Sequence, residues 1–185
     1  KNDTVYWLCN RYLGGMYFGR PEKDSAVYYL HKAYMLVKNS KKYNLIASAT
    51  GMLANTMWDR FKNMQEAEKY ILISLENAKL SNDYRAMGYA NLRYGGFLYK
   101  QQKCQESLKY YEEANHIFIT NKDGEGMLWA QKSLVLAYSM CGEKQKTYAE
   151  LNKLFRLQDS LFKIETAEKA ARYRELYETE KKEKE

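Results

Sequence analysis

Residues 13–37 read LGGMYFGRPEKDSAVYYLHKAYMLV, and the intervals inside this stretch decide the fold. Gly14 is followed twelve residues later by Ala26, then by Leu30 and Ala33 at intervals of four and three. The same intervals recur from Gly95 to Ser107, Tyr111 and Ala114, and from Asn55 to Ala67, Ile71 and Ser74. A weaker copy runs from Val135 to Thr147, Leu151 and Leu154. The anchors Ala26, Ala67, Ser107 and Thr147 lie 41, 40 and 40 residues apart, so the chain is an internal repeat. Small residues at these positions let two antiparallel helices approach closely, because a larger side chain would hold the backbones apart. The larger neighbours fill the space beside each crossing. In the second helix of the third copy, Leu108, Tyr111, Ile117 and Phe118 with Ala114 form the apolar stripe of an amphipathic helix.

The rest of the chain agrees with an all-α reading. There is one proline, Pro21, and long stretches are rich in Ala, Leu, Lys, Glu, Gln and Met. Polar connectors fall at Gly19–Lys23, Lys38–Lys42, Lys62–Met64, Ser81–Asp83, Lys100–Lys103, Asn121–Gly126 and Cys141–Lys144. No segment alternates apolar and polar residues long enough to be a strand. The spacing predicts eight helices in four hairpins, at about 1–41, 42–82, 83–122 and 123–157, followed by a further helix over 158–185. Apolar residues make up 45% of the 185, enough for a proper core, and 29% are charged.

The formal charge of +7 raises the question of a polyanionic partner. From Ser160 to Glu185 seven basic residues balance seven acidic ones, so the excess belongs to residues 1–159. There it is scattered, with Lys38, Lys41 and Lys42 the tightest cluster, and no nucleic-acid motif accompanies it. The expectation is a solvated basic surface without nucleic-acid contact. Cys9, Cys104 and Cys141 are odd in number and share no CxxC spacing, so they are expected to be single buried or half-buried thiols. No apolar run reaches the length of a membrane span. The chain opens at Lys1 without an initiator Met and is expected to be an excised piece of a longer protein.

With these residues in view, the chain resembles the tetratricopeptide repeat (TPR) family. That family's hairpin carries Leu-Gly-x-x-Tyr in its first helix and two small residues around an apolar one in its second. Copy one matches through Leu13, Gly14, Tyr17, Ala26, Leu30 and Ala33, and copy three through Gly95, Ser107, Tyr111 and Ala114. Copies two and four depart, with Asn55 and Val135 in the glycine place and Thr147 in an alanine place. The family's late proline is absent, and the period exceeds the usual ~34 residues. The resemblance covers residues 1 to about 157 and implies a right-handed superhelix whose first helices line a concave groove.

Carried over by register, the groove face is Arg11, Gly15 and Phe18 in copy one, and Met52, Thr56, Asp59 and Arg60 in copy two. Copy three contributes Tyr89, Leu92, Arg93, Gly96, Tyr99 and Lys100, and copy four Trp129, Lys132, Leu136 and Met140. Such a mixture of aromatic and basic side chains suits a peptide or protein segment of acidic character. Some family members clamp a partner's terminal carboxylate with five Lys, Asn and Arg side chains. Here only Arg11 and Arg93 fall in those places, while Gly15, Leu53 and Tyr89 occupy the others, which disfavours that clamp.

The segment from Leu157, LQDSLFKIETAEKAARYRELYETEKKEKE, keeps an apolar stripe of Leu157, Leu161, Ile164 and Ala171, expected to pack on the last hairpin. Beyond Leu176 and Tyr177 it becomes almost pure charge. Leu157, Asp159, Ser160, Leu161 and Tyr177–Glu183 resemble the juncture in membrane-bound signalling proteins of Bacteroidetes-type bacteria. There a periplasmic TPR array leads through a linker helix and a transmembrane helix to a cytoplasmic histidine kinase or helix-turn-helix domain. The resemblance implies a sensor region on the periplasmic face of the inner membrane, tied to the membrane by a helix beyond this chain, with a homodimer open to it. A soluble cytoplasmic adaptor is the alternative.

Catalysis finds no support. His31 and His116 are the only histidines, far apart and without a carboxylate or cysteine at ligand spacing. No G-x-S-x-G, phosphate-cradling glycine loop or HExxH occurs, and Gly14-Gly15 and Gly95-Gly96 sit inside expected helices, where they serve close packing. No catalytic residue, metal site or cofactor is expected.

Overall fold

The helix-favouring composition is realised throughout the described residues. The computed structural model describes residues 3–184, and among these the protein is all-α with no strand. Its helices are α1 (Asp3–Phe18), α2 (Lys23–Val37), α3 (Tyr43–Arg60), α4 (Met64–Leu80), α5 (Tyr84–Lys100), α6 (Cys104–Thr120), α7 (Gly124–Met140) and α8 (Lys144–Lys184). Helices α4 to α7 are each 17 residues long, and three-residue loops join them.

The loops carry a stricter period than the helices. Lys62, Asn82, Gln102, Lys122 and Gly142 have φ of 56°, 52°, 62°, 54° and 75°, one left-handed residue every twenty positions. Each turns the chain out of the preceding helix. Only asparagine and glycine favour that region, so the two lysines and the glutamine hold it at a cost of about 1 kcal/mol each. Capping completes the turns on the acidic side: Asp83 accepts from the Arg85 and Ala86 amides (2.9 and 3.1 Å), and Asp123 from that of Gly126 (3.1 Å).

Each helix packs on the next, and the odd-numbered helices also touch one another: α1 on α3, α3 on α5, α5 on α7. The odd helices therefore form one layer, with the even helices beside them. The small residues lie at the crossings. Ala26, Ala33, Ala67, Ser74, Ser107 and Ala114 are completely buried, as are Leu30 and Ile71 between them. A Cβ on Gly14 would meet the Leu30 side chain at 2.5 Å, and one on Gly95 would meet the Tyr111 ring at 2.8 Å. Ser74 uses its hydroxyl to donate across the crossing to the Ala47 carbonyl (2.7 Å). Polar ties repeat at one end of the odd layer. Lys42 reaches Thr4 (2.7 Å), Asn44 reaches Asp83 (3.1 Å), and Arg85 pairs with the buried Asp123 (2.9 Å).

Four expectations are corrected. The helix over 158–185 is not separate: α8 runs unbroken for 41 residues from Lys144, since nothing between Lys144 and Lys184 is a glycine, a proline or a capping turn. Its apolar stripe packs only as far as Leu161, which covers Gly124 at the start of α7; Ile164 and Ala171 are exposed. Gly124 and Gly126 belong to the first turn of α7, not to the connector, because Asp123 caps the helix there. The thiols are not all single. Cys104, at the start of α6, and Cys141, just after α7, form a disulfide with Cα atoms 5.6 Å apart, while Cys9 is exposed. Antiparallel packing of two helices of equal length puts those two ends together.

Many of the eighteen tyrosines are drawn into this packing. Burial pushes the Tyr111 phenol upward, helped by Tyr99. Burial also raises Tyr138, whose hydroxyl donates to Glu112 (2.7 Å), and it raises Tyr70, Tyr89 and Tyr94. A raised folded-state pKa keeps the proton on the native protein after the unfolded chain has released it. Stability from these groups is therefore full below about pH 10 and is lost as pH rises beyond it. The urea midpoint should hold from pH 8 to about 9.5 and fall steeply by pH 11, with a shallower fall in Tyr111→Phe. Superimposable profiles for the two proteins would remove Tyr111 from this account.

Candidate functional site

The odd helices, from their N-terminal ends to their middles, bound a cleft of about 600 Å³. From α1 come Trp7, Arg11 and Tyr12; from α3, Asn44, Leu45 and Ser48; from α5 and its cap, Asp83, Arg85, Ala86, Tyr89 and Arg93; from α7, Glu125 and Trp129. These residues meet because each odd helix presents one face along the same side of the array. The polar ties between Asn44 and Asp83 and between Arg85 and Asp123 join the odd helices to one another at one end.

Two guanidinium groups dominate the electrostatics. Arg11 lies against aromatic faces, its guanidinium carbon 4.6 Å from the Tyr12 ring centre and 5.6 Å from that of Trp7. It directs Nη1 at the Met52 sulfur (3.8 Å), and its Nε is buried without a partner. Arg93 stands over Tyr89 at 5.8 Å and runs across Gly51, where a Cβ would meet its side chain at 2.8–2.9 Å. Gly51 is needed for that passage. Desolvation lowers the Arg93 pKa to about 10; Tyr89 opposes the shift and the nearby charge of Arg11 adds to it. Trp129, half-exposed, carries Lys132 over its ring at 5.5 Å.

Of the residues read from the sequence, Arg11, Tyr89, Arg93 and Trp129 line this cleft, and Met52 touches it through Arg11. Others lie apart from it. Phe18 and Asp59 are half-buried near the far ends of α1 and α3. Arg60 donates to the Arg20 carbonyl and so ties the loop after α1 to the end of α3. Tyr99 is packed among Leu108, Tyr111, Leu134 and Ala137, a contact between repeats. Thr56 is corrected: it is completely buried and donates to the Met52 carbonyl of its own helix (2.8 Å). Trp7, Tyr12, Asn44, Asp83, Arg85 and Glu125 were missed. Most sit in caps or first turns, where the repeat signature has no landmark residue; the helix-start signals Asn82-Asp83 and Lys122-Asp123 could have pointed to that end. His31 and His116 are exposed on α2 and α6, outside the cleft. No group of His, Cys, Asp and Glu fit to hold a metal ion occurs among the described residues, and no described helix is long and apolar enough to cross a membrane.

No protein-family model matches the chain, and no curated protein matches it. Among solved structures it is similar to the crystal structure of BtubC (BKLC) from P. vanneervenii. The TM-score is 0.69 at 17% identity, over 86% of this chain and 64% of that one. At that identity the likeness bears on the fold alone, an all-α helical repeat, and the chain spans 64% of that protein's length.

Proposed function

We propose that this chain is a TPR-type superhelical array that binds a peptide or protein segment in the cleft of its odd helices. In this reading it is the non-catalytic sensor region of a bacterial transmembrane signalling protein, either a two-component sensor or a transcriptional regulator. The observation that carries it is the pairing of the aromatic and basic cleft with α8, one continuous helix that begins inside the array and runs past its last contact. Binding in the cleft would change how the odd helices lean on one another, and α8, rooted on α7, would pass that change outward. The Cys104–Cys141 disulfide supports a periplasmic setting, because structural disulfides persist in oxidising compartments. A homodimer would pair the exit helices.

The native coding region beyond Glu185 tests the membrane part. About 20 apolar residues, then a kinase or helix-turn-helix domain, are expected. A chain that stops or stays polar replaces this reading with a soluble adaptor. The binding part is tested by selecting binders from a displayed peptide library and repeating the titration with Trp129→Ala. The expected loss is about tenfold in affinity, or 1.4 kcal/mol. Unchanged affinity for every selected peptide would move the binding surface elsewhere.

A further inference from the structure

Arg11 and Arg93 share an environment that is unfavourable as it stands. Both are half-buried, both are held by aromatic rings, and neither forms an ion pair among the described residues. The carboxylates nearby are engaged or set apart. Asp83 caps α5 and accepts from Asn44, Asp123 caps α7 and pairs with Arg85, and Glu125 is exposed on α7. Arg11 spends Nη1 on a thioether, a weak acceptor, and leaves Nε without any. The indole N–H of Trp7, in the same cleft, is also buried and unpartnered. Unsatisfied buried donors and adjacent like charges are both costly. A group with several acceptor lone pairs and a negative charge relieves both at once, and a guanidinium fork matches an oxyanion in geometry.

The walls narrow the choice of ligand. Trp7, Tyr12, Tyr89 and Trp129 are aromatic, and the first three hold the arginines in place before anything binds, which reduces the ordering cost of binding. The cleft is elongated across four helices, and a single small anion would leave most of it empty. We infer that Arg11 and Arg93 form an oxyanion subsite for a side-chain carboxylate of an acidic peptide, with an apolar or aromatic neighbour of that carboxylate seated on the surrounding rings. This inference rests on the proposed binding role of the cleft and specifies its ligand chemistry. It differs from a terminal-carboxylate clamp, since it uses two arginines and aromatic walls and needs no chain end.

The experiment compares two end-capped peptides, acetyl-Glu-Tyr-Glu-Phe-Glu-amide and its counterpart with Gln in place of Glu. Binding is followed by tryptophan fluorescence and by the arginine Nε–Hε NMR signals, with sodium acetate as a third ligand. The Glu peptide should move the Arg11 and Arg93 signals and bind at least about tenfold more tightly than the Gln peptide. Arg11→Met and Arg93→Met, each checked for a native melting transition, should each erase most of that preference. Equal binding of both peptides with Trp129→Ala still weakening them would overturn the oxyanion subsite and leave the cleft as the binding surface. Acetate moving the arginine signals with no tighter binding by the peptide would assign the pair to a free small anion and overturn the peptide ligand. No binding of either peptide up to about 1 mM, an affinity of ~4 kcal/mol, would overturn the subsite and count against the cleft itself.

Discussion

Phe118→Ala is expected to lower the unfolding free energy by about 3–5 kcal/mol, the range for removing a fully buried aromatic ring. Phe118 lies on α6 and is completely buried. Its ring fills space that two glycines leave open on the neighbouring first helices, Gly88 on α5 and Gly126 on α7, and Tyr89 meets it edge-on at 5.2 Å. A Cβ on either glycine would overlap the ring, so Gly88→Ala and Gly126→Ala should destabilise through overpacking by about 1–3 kcal/mol. Because repeat arrays are held by nearest-neighbour interfaces, the loss should also uncouple the array. Urea unfolding of Phe118→Ala followed by circular dichroism and by tryptophan fluorescence should separate into two transitions where the parent shows one. A loss below about 1 kcal/mol with a single shared transition would mean that this ring is not what joins the third repeat to the fourth.

The second large effect belongs to the disulfide. Cys104 and Cys141 are 37 residues apart, and closing a loop of that length should stabilise the folded chain by about 4 kcal/mol through the entropy removed from the unfolded state. Cys104→Ser/Cys141→Ser should melt about 8–15 °C below the parent in the absence of reductant. Dithiothreitol should bring the parent down to the same temperature and leave the double variant unchanged. If the parent does not respond to dithiothreitol, the thiols are unpaired in solution and the argument for an oxidising compartment goes with them. The two predictions act on the same α6–α7 interface, so their effects should fall short of adding.

What could be read in the sequence was whatever repeats at a fixed interval. Ala26, Ala67 and Ser107, with Leu30, Ile71 and Tyr111, are buried at their crossings because helix contact demands small and large residues at set spacings. The fourth copy follows less well: Leu154 is buried, but Thr147 is only half-buried, since among the described residues α8 packs on α7 alone. A helix that continues without interruption was also open to reading, because no glycine or proline separates Leu151 from Leu176. The forty-residue period places a repeat boundary near Leu157, but a period sets no helix end without a stop signal. The disulfide was hidden by sequence distance and becomes visible only when the α6 and α7 lengths are laid antiparallel. In the cleft, Arg11, Tyr89, Arg93 and Trp129 follow from register, whereas the unmet hydrogen-bonding needs of Arg11 and Trp7 depend on what surrounds them. No spacing rule carries that information.

The reach of α8 has a mechanical consequence. Leu161 makes its contact over Gly124, and the helix continues to Lys184, so 23 further residues project about 35 Å at ~1.5 Å per residue. A rod of that length is a lever with its pivot at Gly124. A tilt of about 5° at the pivot, well within the scatter of helix crossing angles, carries the far end through roughly 3 Å. The amplification comes from length alone, so inserting one seven-residue stretch after Ala171 would lengthen the stroke by about a third while turning the tip by only ~20° about the helix axis.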